Sequence, residues 1–197
     1  MKITLVSASQ RPLSKSLDVA HYLQQLAQAH FSDSTILDLQ KINLPLWNEG
    51  VWNNSEEWQQ WNPIAEELKA SDAFVFITPE WHGMATPALK NFLMLATDEE
   101  LAHKPALLVS VSASINGVYP ISELRMSGNK NNHVCFLPDH LLFRNCETLL
   151  TDDHRCTDDD FQLRSEYTMQ LLSSYASALK PVHRDMVLTG KPFRYGM

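Results

Sequence analysis

Lys2-Ile3-Thr4-Leu5-Val6 runs straight into Ser7-Ala8-Ser9-Gln10-Arg11-Pro12-Leu13-Ser14-Lys15-Ser16. An apolar run the length of one buried strand stops at a hydroxyl-rich turn. A helical pattern follows from about Ser14 to His30, with Val19, Ala20, Leu23, Leu26 and Ala27 on one face and Gln24, Gln25 and Gln28 on the other. Strand, turn and helix in this order make a phosphate cradle. Backbone N–H groups at a helix N-terminus lack intrahelical partners, the helix dipole favours an anion, serine hydroxyls add donors and Arg11 adds a permanent charge. The stretch predicts the start of a parallel βαβ unit and a phosphorylated ligand at its first turn.

Outward from there, the pattern repeats. Ser34 to Leu39 reads as a second strand, reached by a crossover long enough to be right-handed and parallel. Asn43 to Asn62 is an aromatic loop holding Trp47, Trp52, Trp58 and Trp61, a type of segment that serves as a lid, packing element or interface. A second helix runs from about Trp58 to Ala70, with Pro63 disturbing its first turns. Ala73 to Thr78 is continuously apolar, as a strand covered on both faces requires. Pro87 opens a third helix to Ala96, Pro105 to Val111 is the fourth strand, Ser122 to Ser127 is helical and His133 to Leu137 is the fifth strand. Thr157 to Asp160 caps a last helix expected to stop at Pro181, with a patternless tail beyond. Strands alternating with helices give an α/β fold, and five of them fit a flavodoxin-like three-layer sandwich with a parallel sheet of order 2-1-3-4-5.

Composition narrows the field. The 197 residues suit one domain, 1–197, and nothing in them is repeated or of low complexity. A net charge of −7 leaves no basic footprint for nucleic acid. The chain enters strand-like sequence within two residues of Met1 and has no apolar run near the ~20 residues of a membrane span. A cytoplasmic protein that does not engage membranes is expected. Cys135, Cys146 and Cys156 show no C-x-x-C spacing and read as free thiols.

In an open parallel sheet, ligands bind beyond the carboxyl ends of the strands at the switch point of strand order. That rule selects three loops: Ser7 to Ser16, Thr78-Pro79-Glu80-Trp81-His82-Gly83-Met84-Ala85-Thr86-Pro87, and Val111 to Tyr119. Ser9-x-Arg11-x-x-Ser14-x-Ser16, the Thr78 to Gly83 run and Pro87-Ala88-Leu89-Lys90-Asn91 together resemble the NADPH-dependent FMN reductase family, flavodoxin-like quinone, azo-dye and chromate reductases among them. The likeness covers roughly residues 1–130. It implies that Ser9, Arg11, Ser14 and Ser16 hold the FMN phosphate. It also implies that Pro79, Glu80, Trp81, His82 and Gly83 line the flavin ring, largely through backbone groups, while Ser112 to Gly117 closes the other side. The donor would be NADPH or NADH and the partner a small electron acceptor. Ala8, where the family has glycine, and Trp81-His82, where it has Tyr-Asn, depart from the pattern.

Such chemistry needs no protein acid, base or nucleophile, because the flavin carries it. No G-x-S-x-G, P-loop or G-x-G-x-x-G is present, so serine hydrolase, NTPase and dinucleotide Rossmann readings lack their marks. An acidic loop capping a helix accounts for Thr151 to Asp160 without a metal. Phe92, Leu93, Met94 and Leu95 cover too much of the third helix for a surface helix and point to a subunit interface, hence a homodimer or tetramer. Two other classes compete with a reductase: an electron carrier on the same fold without nicotinamide turnover, and an interaction protein that holds no flavin.

Overall fold

The computed structural model describes residues 1–53 and 55–188. Its centre is one five-stranded parallel sheet, ordered β2-β1-β3-β4-β5, built from β1 (Lys2–Ser7), β2 (Asp33–Asp38), β3 (Ala73–Pro79), β4 (Pro105–Val111) and β5 (Cys135–Phe143). The expected order 2-1-3-4-5 is the observed one. Both faces are covered by helices, which is why β1, β3 and β4 read as unbroken apolar runs.

Alternation along each strand sends residues to two cores. On one face, Ile3, Leu5, Val75, Ile77, Leu107 and Val109 pack with α1 (Lys15–Ala27) and α8 (Asp159–His183). On the other, Val6, Phe74, Phe76, Ala106 and Leu108 pack with Trp58, α3 (Trp61–Ala70), α4 (Pro87–Leu95), α5 (Asp98–Leu101) and α6 (Val118–Ser127). Two four-residue helices, α2 (Leu39–Ile42) and α7 (Cys146–Leu149), follow β2 and β5. The three cysteines are free thiols.

Three expectations need correction. β5 does not stop at Leu137 but continues to Phe143 through Pro138. Pairing jumps from Ala106↔Phe136 to Leu108↔His140, so the proline sits in a bulge of an edge strand, where a missing N–H costs no ladder bond. The last helix does not stop at Pro181: it runs to His183 and ends in a π-helical turn, Arg184–Leu188. There the His183 Nδ1 meets the Ala102 carbonyl at 2.7 Å, a tertiary bond that anchors the turn beyond the proline. The tail expected past Pro181 otherwise lies, from residue 189, outside the described residues. Finally, Phe92, Leu93 and Leu95 are consumed inside the chain, in the same cluster as Trp61, Leu101 and Val134. Only Met94 of that group is exposed, so α4 presents no broad apolar face.

The aromatic loop divides in two. Trp58 and Trp61 are core residues, Trp58 donating from Nε1 to Asn48 Oδ1 (3.1 Å) and Trp61 meeting Phe92 edge-on. Trp52 is exposed and packs edge-to-face with Trp47, ring centres 5.3 Å apart.

Candidate flavin site

The first loop leaves β1 through Ala8, whose N–H extends the ladder to the Ile77 carbonyl (2.9 Å) and whose methyl lies in the second core. Ser9 and Ser14 then use one lone pair each. Ser9 Oγ accepts from the Arg11 N–H (3.2 Å), and Ser14 Oγ caps α1 by accepting from the Leu17 N–H (3.3 Å). A hydroxyl that accepts still has its own O–H to donate. The N–H groups of Lys15 and Ser16 precede the first intrahelical bond, and Ser16 is buried beneath the turn. Leu13 takes a left-handed conformation (φ 52°) that turns the chain up into this cap. Arg11 is exposed and forms no ion pair among the described residues. Donors without acceptors, a helix N-terminus and a free guanidinium fit a terminal phosphate.

The second loop is a tight hairpin. Trp81 and Met84 exchange both backbone bonds (3.1 and 2.9 Å), with His82 at φ 51° and Gly83 at φ 73° between them. Two positive φ angles in succession make a type I′ turn, which favours glycine at the second place. Gly83 is needed for its φ and not for room, since nothing lies within 4 Å of where a Cβ would stand. The hairpin leaves the N–H groups of His82 and Gly83 outside its own bonds, as backbone donors at the loop tip. Pro79, Glu80 and Trp81 are half-buried at its base, and the Glu80 N–H donates to the Val111 carbonyl (2.9 Å).

Beyond β4, Ser112 is buried and its Oγ accepts from the Ser114 N–H (3.2 Å). Gly117, at φ 110°, turns the chain into α6 in a conformation that a side chain would strain. The structure therefore places every residue of the three loops at the carboxyl edge, with Ser112 and Gly117 in the backbone frame of the third.

Several residues that hold these loops were not legible as functional. Thr86 is fully buried: its O–H donates to the Ala8 carbonyl (2.8 Å) while its Oγ accepts from the Leu89 N–H (3.2 Å), and its own N–H donates to Thr78 Oγ1 (3.1 Å). One side chain thus joins the first loop, the second loop and the start of α4. Thr followed by Pro before an apolar helix is a cap signature, and that much could have been read. Glu123 on α6 accepts from the Ala85 N–H (2.7 Å) and pairs with Lys90 on α4 (2.6 Å). Burial works against its charge, but the hydrogen bond from Lys90, that from Ala85 and the attraction of the ammonium together hold the Glu123 carboxyl below its usual range. Asn91 clasps the aromatic loop, its Oδ1 accepting from the Trp47 N–H and its Nδ2 donating to the Pro45 carbonyl, both at 2.7 Å.

Solved structures repeat this architecture. The flavoenzyme NAD(P)H:(acceptor) oxidoreductase FerB of Paracoccus denitrificans superposes with a TM-score of 0.72 at 20% identity, over 90% of this chain and 98% of that one. An archaeal flavodoxin gives 0.56 at 10% identity, over 90% and 99%; both likenesses speak to the fold. By sequence, the chain is 28% identical over 117 residues to an NADPH azoreductase of Bacillus sp. strain OY1-2, covering 59% of this chain and 62% of that protein. It is 30% identical over 120 residues to a quinone reductase of Pseudomonas putida, covering 58% and 62%. These matches span less than two thirds of either relative. An FMN-dependent NADPH-azoreductase of Staphylococcus saprophyticus matches at 25% over 179 residues, 89% of this chain and 95% of that one. The family model for NADPH-dependent FMN reductases matches residues 1–148, a stretch that takes in all five strands, the three loops and the Thr86 and Asn91 clasps, and the chain belongs to that family.

Proposed function

We propose that this protein is an FMN-dependent NAD(P)H oxidoreductase that reduces quinones, flavins or other small acceptors. The observation that carries this reading is the Thr86 junction. It ties the first loop and the Trp81–Met84 hairpin together at the switch point between β1 and β3. Bound FMN would supply the hydride-accepting centre and release one or two electrons at a time. The chain's own part is to position it. Ser9, Arg11, Ser14 and Ser16 would face the phosphate, and Pro79, Glu80, Trp81, His82 and Gly83 would line the ring, with the His82 and Gly83 N–H groups as the free backbone donors and Trp81 as an indole wall. Ser112 and Gly117 frame the loop on the far side. No residue in these loops is required to move a proton.

The hairpin tip, His82, Gly83 and Met84, is exposed, which suits a donor and an acceptor that visit the same surface in turn. Cytoplasmic residence is part of the reading, and it rests on the donor, a nicotinamide dinucleotide. Among the described residues no helix is long and apolar enough to cross a membrane. A homodimer is also part of it. Leu46 and Trp52 on the aromatic loop are the exposed apolar residues that a second copy would cover, and light scattering after gel filtration measures the mass.

An absorption spectrum of the purified protein, recorded before and after anaerobic addition of NADPH, tests the reading. Flavin bands that bleach on NADPH and return with a quinone are expected. Bands that persist in NADPH would instead indicate an electron carrier. A colourless protein that takes up no added FMN would reject both.

A further inference from the structure

We propose that Arg144 is the residue that binds a phosphate group of the nicotinamide donor, a role that rests on the reductase reading above. Arg144 stands immediately after β5, at the same carboxyl edge as the three loops. The segment it belongs to braces the third loop through four bonds. The Ser112 N–H donates to the Phe143 carbonyl (2.8 Å), the Asn145 N–H to Ser114 (3.1 Å) and the Cys146 N–H to Ser112 (3.1 Å), while Arg144 Nε donates to the Asn116 carbonyl (2.9 Å). That last bond fixes one corner of the guanidinium and leaves the two terminal nitrogens of its fork exposed.

Charge at this edge is otherwise spoken for. Lys15 pairs with Asp18, Lys41 with Asp38, Lys90 with Glu123 and Arg155 with Asp153. Among the described residues Arg11 and Arg144 are the guanidinium groups at this edge that have no carboxylate partner. They start from well-separated strands. β1 and β5 lie three strand spacings apart, ~14 Å at about 4.8 Å each, with the hairpin and the third loop between them. If Arg11 meets the phosphate of the flavin, Arg144 is set for a different anion on the far side of the ring loop. A donor that must lay its nicotinamide on the ring and carries phosphates at a distance from it is that ligand. A planar fork pinned at Nε is also the geometry that grips a phosphate with two parallel bonds.

The test uses the FMN-loaded protein with Arg144→Ala, Arg144→Lys and Arg144→Gln, titrated calorimetrically with NADP+ and with NAD+ alongside steady-state kinetics. In Arg144→Ala, NADP+ affinity should fall and the KM for NADPH rise by about tenfold, as loss of a charge-assisted bond implies. In Arg144→Gln, whose amide can keep the bond to the Asn116 carbonyl, FMN affinity and kcat at saturating donor should stay unchanged. Arg144→Lys should recover part of the loss and Arg144→Gln none, and the salt dependence of donor binding should flatten in both neutral variants. A loss confined to NADP+ assigns the contact to the 2′-phosphate, and an equal loss for NAD+ assigns it to the pyrophosphate. Unchanged donor binding in Arg144→Ala overturns the inference while leaving the reductase reading intact. So does full rescue by Arg144→Gln, which would mean that Arg144 only braces the third loop. A wild-type protein that binds neither dinucleotide and does not bleach with NADPH rejects the reductase reading, and this inference with it.

Discussion

Ala8 stands where the family pattern has glycine, and its surroundings explain why alanine is tolerated. Its φ is not positive, its side chain is fully buried and its methyl joins the cluster of Val6, Leu39 and Leu89, so a Cβ adds core there and strains nothing. Its backbone has the larger task, because the Ala8 carbonyl is the acceptor for Thr86. Thr86→Val keeps the shape of the side chain and removes the hydroxyl, leaving a buried carbonyl and the Leu89 N–H without their partner. Stability should fall by ~1–3 kcal/mol, as buried groups deprived of a bond cost, with weaker FMN binding and recovery in Thr86→Ser. Urea unfolding and flavin titration read the two effects; a variant equal to wild type in both would remove Thr86 as the junction. In the proposed function, Arg11 acts on binding alone. It is exposed and braces nothing, so Arg11→Ala should weaken FMN by ~1.5–3 kcal/mol with little change in unfolding. Unaltered FMN affinity would place Arg11 outside the phosphate site.

At the level of elements, α4 shows what the Pro87 to Asn91 motif does in the fold: its polar residues Lys90 and Asn91 are spent on holding the loops. Asn91 is buried and spends both ends of its amide on the aromatic loop. Asn91→Leu should cost ~1–3 kcal/mol by stranding the Trp47 N–H and the Pro45 carbonyl, and should shift tryptophan fluorescence as the Trp47–Trp52 pair loosens. Fluorescence and midpoint identical to wild type would deny the clasp. The elements themselves were largely legible, since buried parallel strands and capped amphipathic helices announce themselves through apolar runs and cap residues. What local sequence could not show was anything set by a distant partner. Pro138 reads as a strand end until its place on an edge strand is known, and Pro181 reads as a helix end until Ala102 is found under His183. At the candidate site, the three loops could be read because strand ends, a helix cap and a turn glycine are local signals. The bonds that Thr86 and Asn91 make across the chain, the Glu123–Lys90 pair and the bracing by Arg144 depend on which loops the sheet order brings together.

For the molecule as a whole, the two edges of the sheet carry different chemistry. The carboxyl edge collects donors, whereas the opposite edge buries basic groups. Lys104 is almost fully buried there, donating to the Leu68 and Lys69 carbonyls at 2.9 Å each, and burial pushes its ammonium down to about 8. Beside it, burial lowers the His103 imidazole, and the neighbouring His133 lowers it further. Burial also lowers His183. The Ala102 carbonyl and Asp72 oppose that shift, while Lys104 and His103 reinforce it. A histidine whose folded pKa lies below its unfolded value of ~6.5 is neutral in the fold at pH values where the unfolded chain already takes a proton. Stability from this pair is therefore fully present above pH ~6.5, falls as pH drops through that value and levels off only below the folded pKa. The carboxylates held low by their partners, Glu67, Asp72 and Glu123, add a separate loss only at more acid pH, below the unfolded carboxylate range of ~4. Urea midpoints at pH 7.5, 6.5 and 5.5 isolate the histidine contribution. The wild type should lose stability across that interval, and a His103→Asn/His183→Asn double variant should lose less. Equal midpoints for the wild type at pH 7.5 and 5.5 would mean that this edge does not keep its imidazoles neutral at the expense of acid stability.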